Sequence, residues 1–537
     1  MDLRDKTGLL IDDMPEMRAT VRIQLADGGL EKCDQARNIK EAVDRLSVKS
    51  YDLIVCDYNL GQGADGQQLL ELLRRRKLLP LTTAFLIITG ETGYEQVSTA
   101  AEYAPDDYLI KPFTADILRT RLSRILDKKA ALEPIYRHLG PKHDAAAALA
   151  ACDKLLAENS RYSLDILRHK GELLMELKRG DEALALYDSI LQQRATPWAT
   201  LGKAKALMAD GNEDEAEAHL ARAIEAYPNY LAAYDSMAEL LAKTDTEAAQ
   251  AIVEQALIVA PTTQRQRRMG ALALENKDYS RAEAAYKVAV EKDRTGFFKS
   301  HDDYAGLARS YSEQGKTKEA LGTVKDMGQH FPRSPELEAR QAAVECQVHV
   351  RAGNKDAAKA ALTKAMSVAK DQSLDANTQL ELAQACFASG APEEAKRIIQ
   401  AVAEDHTEHE PVLAQARKVF ASAGLQDEGD VFLEAARKRM VTLNNDAVAL
   451  AKAGQLEEAV AMLKEAADRL PNNSQVAINA AQALLMHIHR NGANPDHIAS
   501  AHHYISQARS ANPDHPKLAD VETFYRRVAP SDAPPLA

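Results

Sequence analysis

Five residues stand where they could hold and transfer an anionic group. Asp12 and Asp13 follow the apolar run Leu9-Leu10-Ile11, and Asp57 follows Leu53-Ile54-Val55-Cys56. Thr89 closes Phe85-Leu86-Ile87-Ile88, and Lys111 closes Tyr108-Leu109-Ile110. Carboxylates gathered at one point suit Mg²⁺, a hard cation that takes oxygen ligands and keeps several waters. Without it, like charges repel and raise one another's pKa. A carboxylate nucleophile, a divalent ion, a hydroxyl and an ammonium together can hold a phosphoryl group.

The elements that must bring these residues together are legible in the same region. The four apolar runs read as buried strands of a parallel sheet. Segments 15–26, 38–48, 65–78, 94–102 and 113–127 carry helical spacing between and after them. Such alternation predicts a doubly wound sheet with right-handed crossovers. Ligands bind such sheets at the carboxyl ends of the strands, where all five residues fall.

The set resembles that of the response-regulator receiver domain, over residues 1–127. That family carries an acid pair, a phospho-accepting Asp, a Thr or Ser and a Lys-Pro after successive strands. Here these are Asp12 and Asp13, Asp57, Thr89, and Lys111-Pro112, with Tyr108 matching the family's aromatic just before the lysine. The resemblance implies an α/β doubly wound five-stranded parallel sheet. It also implies a phosphoryl group taken by Asp57 from a sensor histidine kinase or phosphotransfer protein. Mg²⁺ would be held by Asp12, Asp13, Asp57 and the backbone carbonyl of Asn59, with Lys111 on the phosphate. Thr89, Tyr108 and Pro112 would form the switch, with a cis Lys111–Pro112 bond. Asn59 and Glu91 match chemotaxis-type receivers that lose phosphate quickly, implying a short-lived acyl phosphate. The loop after Asp57 departs from the family. Leu60-Gly61-Gln62-Gly63-Ala64-Asp65-Gly66 lacks the usual proline and is one residue longer.

Beyond about residue 130 the strand signal stops, without a Pro/Gly/Ser linker, so a helix running from the first domain into the second is expected. Small residues then recur at Ala183, Ala216, Ala249, Ala282, Ala320, Ala358, Ala395, Gly429, Ala459 and Ala501. Turn glycines recur at Gly211, Gly315, Gly353, Gly390, Gly424 and Gly454. A period of about 34 with paired helices indicates a solenoid. The pattern Tyr304-x2-Leu307-Ala308-x2-Tyr311-x3-Gly315-x4-Ala320, with Pro332, resembles tetratricopeptide (TPR) repeats. The resemblance implies an all-α TPR solenoid of about ten units over 161–528. Residues 128–160 would connect it, as a capping helix or degenerate unit, and 529–537 would be a flexible tail. The wider spacings predict lengthened helices or loops in the middle and near the end.

Composition narrows the function. With 67 Lys+Arg against 79 Asp+Glu the net charge is −12, which argues against a nucleic-acid binder. No apolar run approaches a membrane span, no secretory signal precedes the first strand, and the five cysteines form no Cys-x-x-Cys pair. A cytoplasmic protein is expected. His487, His489, His497, His502 and His503 read as packing or solvated histidines. Arg74-Arg75-Arg76-Lys77 reads as cations at a helix end. Gly61-x-Gly63-x-x-Gly66 lacks nucleotide-binding spacing. No separate enzymatic domain is evident. The expected function is a response regulator of a two-component system whose solenoid takes up protein partners in its groove, with Lys203, Arg268 and Arg309 as candidate contacts. A phosphate sink tethered to a shared kinase is the alternative.

Overall fold

The computed structural model describes residues 3–61, 65–90, 105–140, 143–158, 160–293, 299–371, 374–492, 494–513, 515–530, 533–534 and 536. The expected helix at 94–102 and Glu91 lie outside them. Residues 1–310 form one compact unit and residues 311–537 another.

The first unit opens with a parallel sheet of β1 (Thr7–Ile11), β2 (Lys32–Ala36), β3 (Leu53–Asp57), β4 (Ala84–Thr89) and β5 (Asp107–Ile110), in the order β2-β1-β3-β4-β5. Every residue of β3 and β4 is buried, because helices cover both faces of the sheet. Successive side chains go to opposite faces. Leu9, Ile11, Ile54, Cys56, Phe85 and Ile87 pack on the face of α2 (Ile39–Leu46) and α3 (Gly66–Arg75). Leu10, Leu53, Val55, Leu86 and Ile88 pack with residues of α1 (Pro15–Asp27) and α4 (Ala115–Tyr136). β2, Lys-Cys-Asp-Gln-Ala, is a half-polar edge strand.

Helix α4 does not stop where the receiver core ends. Leu118, Leu122, Ile125 and Leu126 belong to the receiver core. Leu132, Ile135 and Tyr136 belong to the next core, with Ala148, Leu149, Ile166 and Leu174. The expected helical connection is therefore a single element.

Helix α5 (Ala145–Ala157) precedes the pairs α6/α7 (Ser163–Glu176, Gly180–Gln193), α8/α9 (Pro197–Ala209, Glu213–Ala226), α10/α11 (Leu231–Leu241, Thr246–Val259) and α12/α13 (Thr263–Glu275, Tyr279–Asp293). Further pairs are α14/α15 (His301–Glu313, Thr317–His330), α16/α17 (Pro335–Arg351, Lys355–Asp371) and α18/α19 (Ala376–Ala388, Pro392–Asp405). Ala183, Ala216, Ala249, Ala282, Ala320 and Ala395 are each 0% exposed, as the close helix crossing requires. All six turn glycines have positive φ, and Lys178 (φ 57) and Lys277 (φ 61) take that conformation in two other turns. The widened spacings between Ala320 and Ala395 are accommodated in α16 and α17, of 17 residues each.

One departure follows. After α20 (Glu410–Ser422), a single 27-residue helix, α21 (Gln426–Lys452), takes the place of two helices and a turn. No Pro or Gly occurs between Gly429 and Gly454 to end it. Helices α22 (Leu456–Arg469), α23/α24 (Ser474–Asn491, Pro495–Ala511) and α25 (Leu518–Val528) close the chain.

Candidate phosphoryl site

The parallel register sets the pocket. Asp57 pairs with Ile88, and Thr89 pairs with Ile110. The ends of β1, β3, β4 and β5 therefore fall on one edge. Oxygens of Asp12, Asp13 and Asp57 all lie within 4.8 Å of one another. Asp12 (3% exposed), Asp57 (8%) and Thr89 (4%) are buried, and Asp13 is exposed. Lys111 Nζ donates to Asp57 Oδ1 at 2.7 Å. The Lys111 amide donates to the Thr89 carbonyl, also at 2.7 Å, which extends the β4–β5 ladder into the site. The Lys111–Pro112 peptide is cis.

Local contacts hold Asp12 and Asp57. Asp12 Oδ1 accepts from the Met14 amide at 2.8 Å, and the Asp12 carbonyl accepts from Arg18 Nη1 at 2.6 Å. The Tyr58 amide donates to the Ile88 carbonyl at 2.7 Å, fixing the chain just past Asp57. Burial raises the Asp57 carboxyl pKa, and the Lys111 ammonium only partly offsets it. Burial also raises that of Asp12, and the charges of Asp57 and Asp13 add to the effect. A pocket with more carboxylates than cations fits a hard divalent ion such as Mg²⁺.

The loop past Asp57 explains the missing proline. Gly61 has φ +72, a conformation closed to proline, and its amide donates to Asn59 Oδ1 at 3.2 Å. A Cβ there would come within 2.6 Å of Asp13 Oδ2. Asn59 pairs with Asp65 as an isolated bridge, and Asp65 caps α3 through the Gln68 amide at 2.7 Å. A Cβ on Gly66 would meet the Asp57 carbonyl at 2.6 Å. These two glycines, with Arg18, belong to the site although sequence reasoning did not assign them to it. Glycine where the family carries proline was the available signal.

Tyr108 lies on β5, packed against the α2–α3 side of the core, and among the described residues its buried hydroxyl has no hydrogen-bond partner. Burial raises its pKa, with the neighbouring Tyr58 adding to the effect.

The candidate groove contacts are engaged within the solenoid. Lys203 pairs with Asp188 at 2.8 Å, Arg268 donates to the Asp235 carbonyl at 3.0 Å, and Arg309 lies near Tyr286. His487 and His497 stack edge-on with centroids 4.7 Å apart. Among the described residues, Asp12, Asp13 and Asp57 alone group as three potential metal ligands. No described helix is long and apolar enough to cross a membrane.

A five-stranded parallel sheet with acids, a hydroxyl and a lysine on its carboxyl edge defines a receiver-type domain. Residues 9–123 match the response regulator receiver domain family, and residues 142–197 and 199–230 match tetratricopeptide repeat families. Over 123 residues the chain is 33% identical to chemotaxis protein CheY-3 of Vibrio cholerae, covering 22% of this chain and 91% of that protein. It is 31% identical to chemotaxis protein CheY of Pseudomonas aeruginosa over 123 residues, covering 22% and 95%. The chain belongs to the response-regulator receiver family through this domain and continues into TPR repeats. Among solved structures, a tetratricopeptide repeat protein of Parabacteroides merdae is similar at 15% identity and TM-score 0.31, covering 50% of this chain and 98% of that one. A sensor protein of Polaromonas is similar at 22% identity and TM-score 0.21, covering 23% and 98%.

Proposed function

We propose that the protein is the response regulator of a two-component system, cytoplasmic and with a protein-binding output. The receiver comprises residues 1–127, the connection 128–160, the repeat array 161–528 and the tail 529–537. The reading rests chiefly on one observation, the Lys111–Asp57 contact of 2.7 Å beside two further carboxylates.

In this reading an Asp57 carboxylate oxygen attacks the phosphorus of a phosphohistidine on a sensor kinase or phosphotransfer protein. The new O–P bond forms as the N–P bond breaks, and the imidazole leaves and takes up a proton. Asp12, Asp13, Asp57 and the Asn59 carbonyl would hold Mg²⁺, which neutralises charge on the transferring group. Lys111 exchanges its bond to Asp57 for one to a phosphoryl oxygen. The Thr89 hydroxyl donates to another, Tyr108 follows it, and Pro112 completes the switch. Asn59 and Glu91 tune how fast water removes the group. Such a change biases a two-state surface, which the TPR array reads as protein binding.

The test is incubation of the full chain with Mg²⁺ and acetyl phosphate, followed by intact-mass measurement. The expected result is the mass gain of one phosphoryl group, absent without Mg²⁺ and absent in Asp57→Asn. An equal gain in Asp57→Asn overturns the assignment.

A further inference from the structure

We infer that the chain's own receiver occupies the inner face of the first helix pairs, and that the carboxy-terminal turn of α3 is the part seated there. This deepens the reading of the repeats as a protein-binding output, because a partner for that face must lift α3 away.

The contact has two ends of different strength. At the base, α4 belongs to both the receiver core and the first repeat core. Around it Lys128 pairs with Asp165, and Arg161 Nη2 lies 3.7 Å from Asp127. Tyr136 meets His169 edge-on at 5.6 Å. Lys129 Nζ ties the same helix back to the receiver, at 2.8 Å from the Leu81 carbonyl and 2.9 Å from Asp106. This end is packed and multiply held.

The other end is a reach of long side chains. Arg75 Nη2 donates to Gln264 Oε1 at 3.3 Å across 189 residues of sequence. Gln264 is on α12, the first helix of its pair. Arg74, one residue earlier, is influenced by Asp106 and by Arg168 of α6, the first helix of another pair. Asp65, the α3 cap, feels the Lys292 ammonium at the end of α13. Arg168 and Gln264 both lie on first helices, so α3 lies along that side of the array from the first pair to the fourth.

The energetics suit a latch. The Arg75 side chain is 47% exposed and also pairs with Glu71. An exposed hydrogen bond of this kind is weak, because water competes for both partners. The basic run Arg74-Arg75-Arg76-Lys77 holds more cations than a helix end needs, and this contact gives two of them a use.

The test uses the full chain with cysteines placed at both ends of the reach, Arg75→Cys with Gln264→Cys, and a flexible bis-maleimide. The expected product is an intramolecular cross-link between the two positions, identified by peptide mass, and absent from each single variant. If both new thiols label with a monofunctional maleimide but no 75–264 link forms, the inference fails. Hydrogen exchange supplies the second reading. In Arg74→Ala/Arg75→Ala, exchange in 263–275 should rise several-fold while β1 and β3 are unchanged. Unaltered exchange in 263–275 overturns the inference. Neither measurement needs phosphoryl transfer, so failure of the latch and failure of the Asp57 assignment are distinguishable.

Discussion

Lys111 and Asp57 meet at 2.7 Å across the width of β4, which lies between their strands. Neither side chain could be so placed by local sequence alone. The pairing depends on β5 being registered against β4, and the Lys111 amide bond to the Thr89 carbonyl continues that register to the last residue.

The acidic pocket should destabilise the metal-free fold in a pH-dependent way. Asp12 and Asp57 hold their protons more tightly in the folded chain than in an ordinary carboxyl. Protonated at low pH, they cost nothing. Once the pH passes above their raised values, the folded state carries the full cost of ionisation. Asp12→Asn keeps an acceptor for Met14 and removes one charge. In metal-free buffer it should match the parent Tm at low pH and exceed it increasingly as pH rises through the carboxylate range. The expected gain at neutral pH is about 1–3 kcal/mol. Mg²⁺ should raise the parent's Tm and barely move that of Asp12→Asn. Differential scanning calorimetry at several pH values checks both, and a lower Tm for Asp12→Asn at neutral pH would contradict the assigned charge balance.

Gly61→Ala probes the loop that replaces the proline. Its methyl would reach within 2.6 Å of Asp13 Oδ2 and would sit at φ +72. The backbone conformation alone costs roughly 1 kcal/mol. Asp13 must move, so Mg²⁺ affinity should fall by tenfold or more by isothermal titration calorimetry. Unchanged affinity would show that Asp13 does not need this loop.

Tyr187 nests on two glycines of successive first helices. A Cβ on Gly171 would lie 2.6 Å from the Tyr187 hydroxyl, and one on Gly202 would lie 2.4 Å from its ring. Gly202→Ala should therefore destabilise by about 1–3 kcal/mol through overpacking. Gly202→Ala with Tyr187→Phe should stay destabilised, because the clash is with ring carbons. Urea unfolding followed by circular dichroism gives the comparison.

Two turns carry lysine where other repeats carry glycine. Lys178 and Lys277 both hold positive φ. Lys178→Gly and Lys277→Gly should each stabilise by roughly 0.5–1 kcal/mol, because the left-handed conformation costs a side-chain-bearing residue about 1–2 kcal/mol and glycine gives part of that back in unfolded-state entropy. A fall in stability by chemical denaturation would indicate that the lysine side chains contribute more than the turn costs.

The acids, Thr89 and Lys111 were legible because each ends a wholly apolar run, and burial on both faces leaves no other reading for β3 or β4. β2 left no such run, since an edge strand with one neighbour keeps Lys32, Asp34 and Gln35 polar. The repeat alanines were legible through their period, and burial accounts for them. The fused helix α21 was written only as an absence, the lack of any breaker near residue 440. The Arg75–Gln264 contact had no local signature. It joins residues 189 positions apart, brought together by tertiary packing and not by any local pattern.

The uninterrupted α4 makes the joint between receiver and repeats an indexed one. Its 22 residues rise about 33 Å, and each added residue would advance the helix by about 1.5 Å and turn it by about 100°. One face of the rod is keyed to the sheet and another to the first repeat. Separation and bearing therefore cannot be varied independently. A single residue inserted near Lys128 would swing the repeats around the rod's axis and carry Gln264 out of reach of Arg75, while leaving both hydrophobic cores intact. Length changes at this joint are tolerable only in steps near whole turns, so here residue number acts as a compass heading.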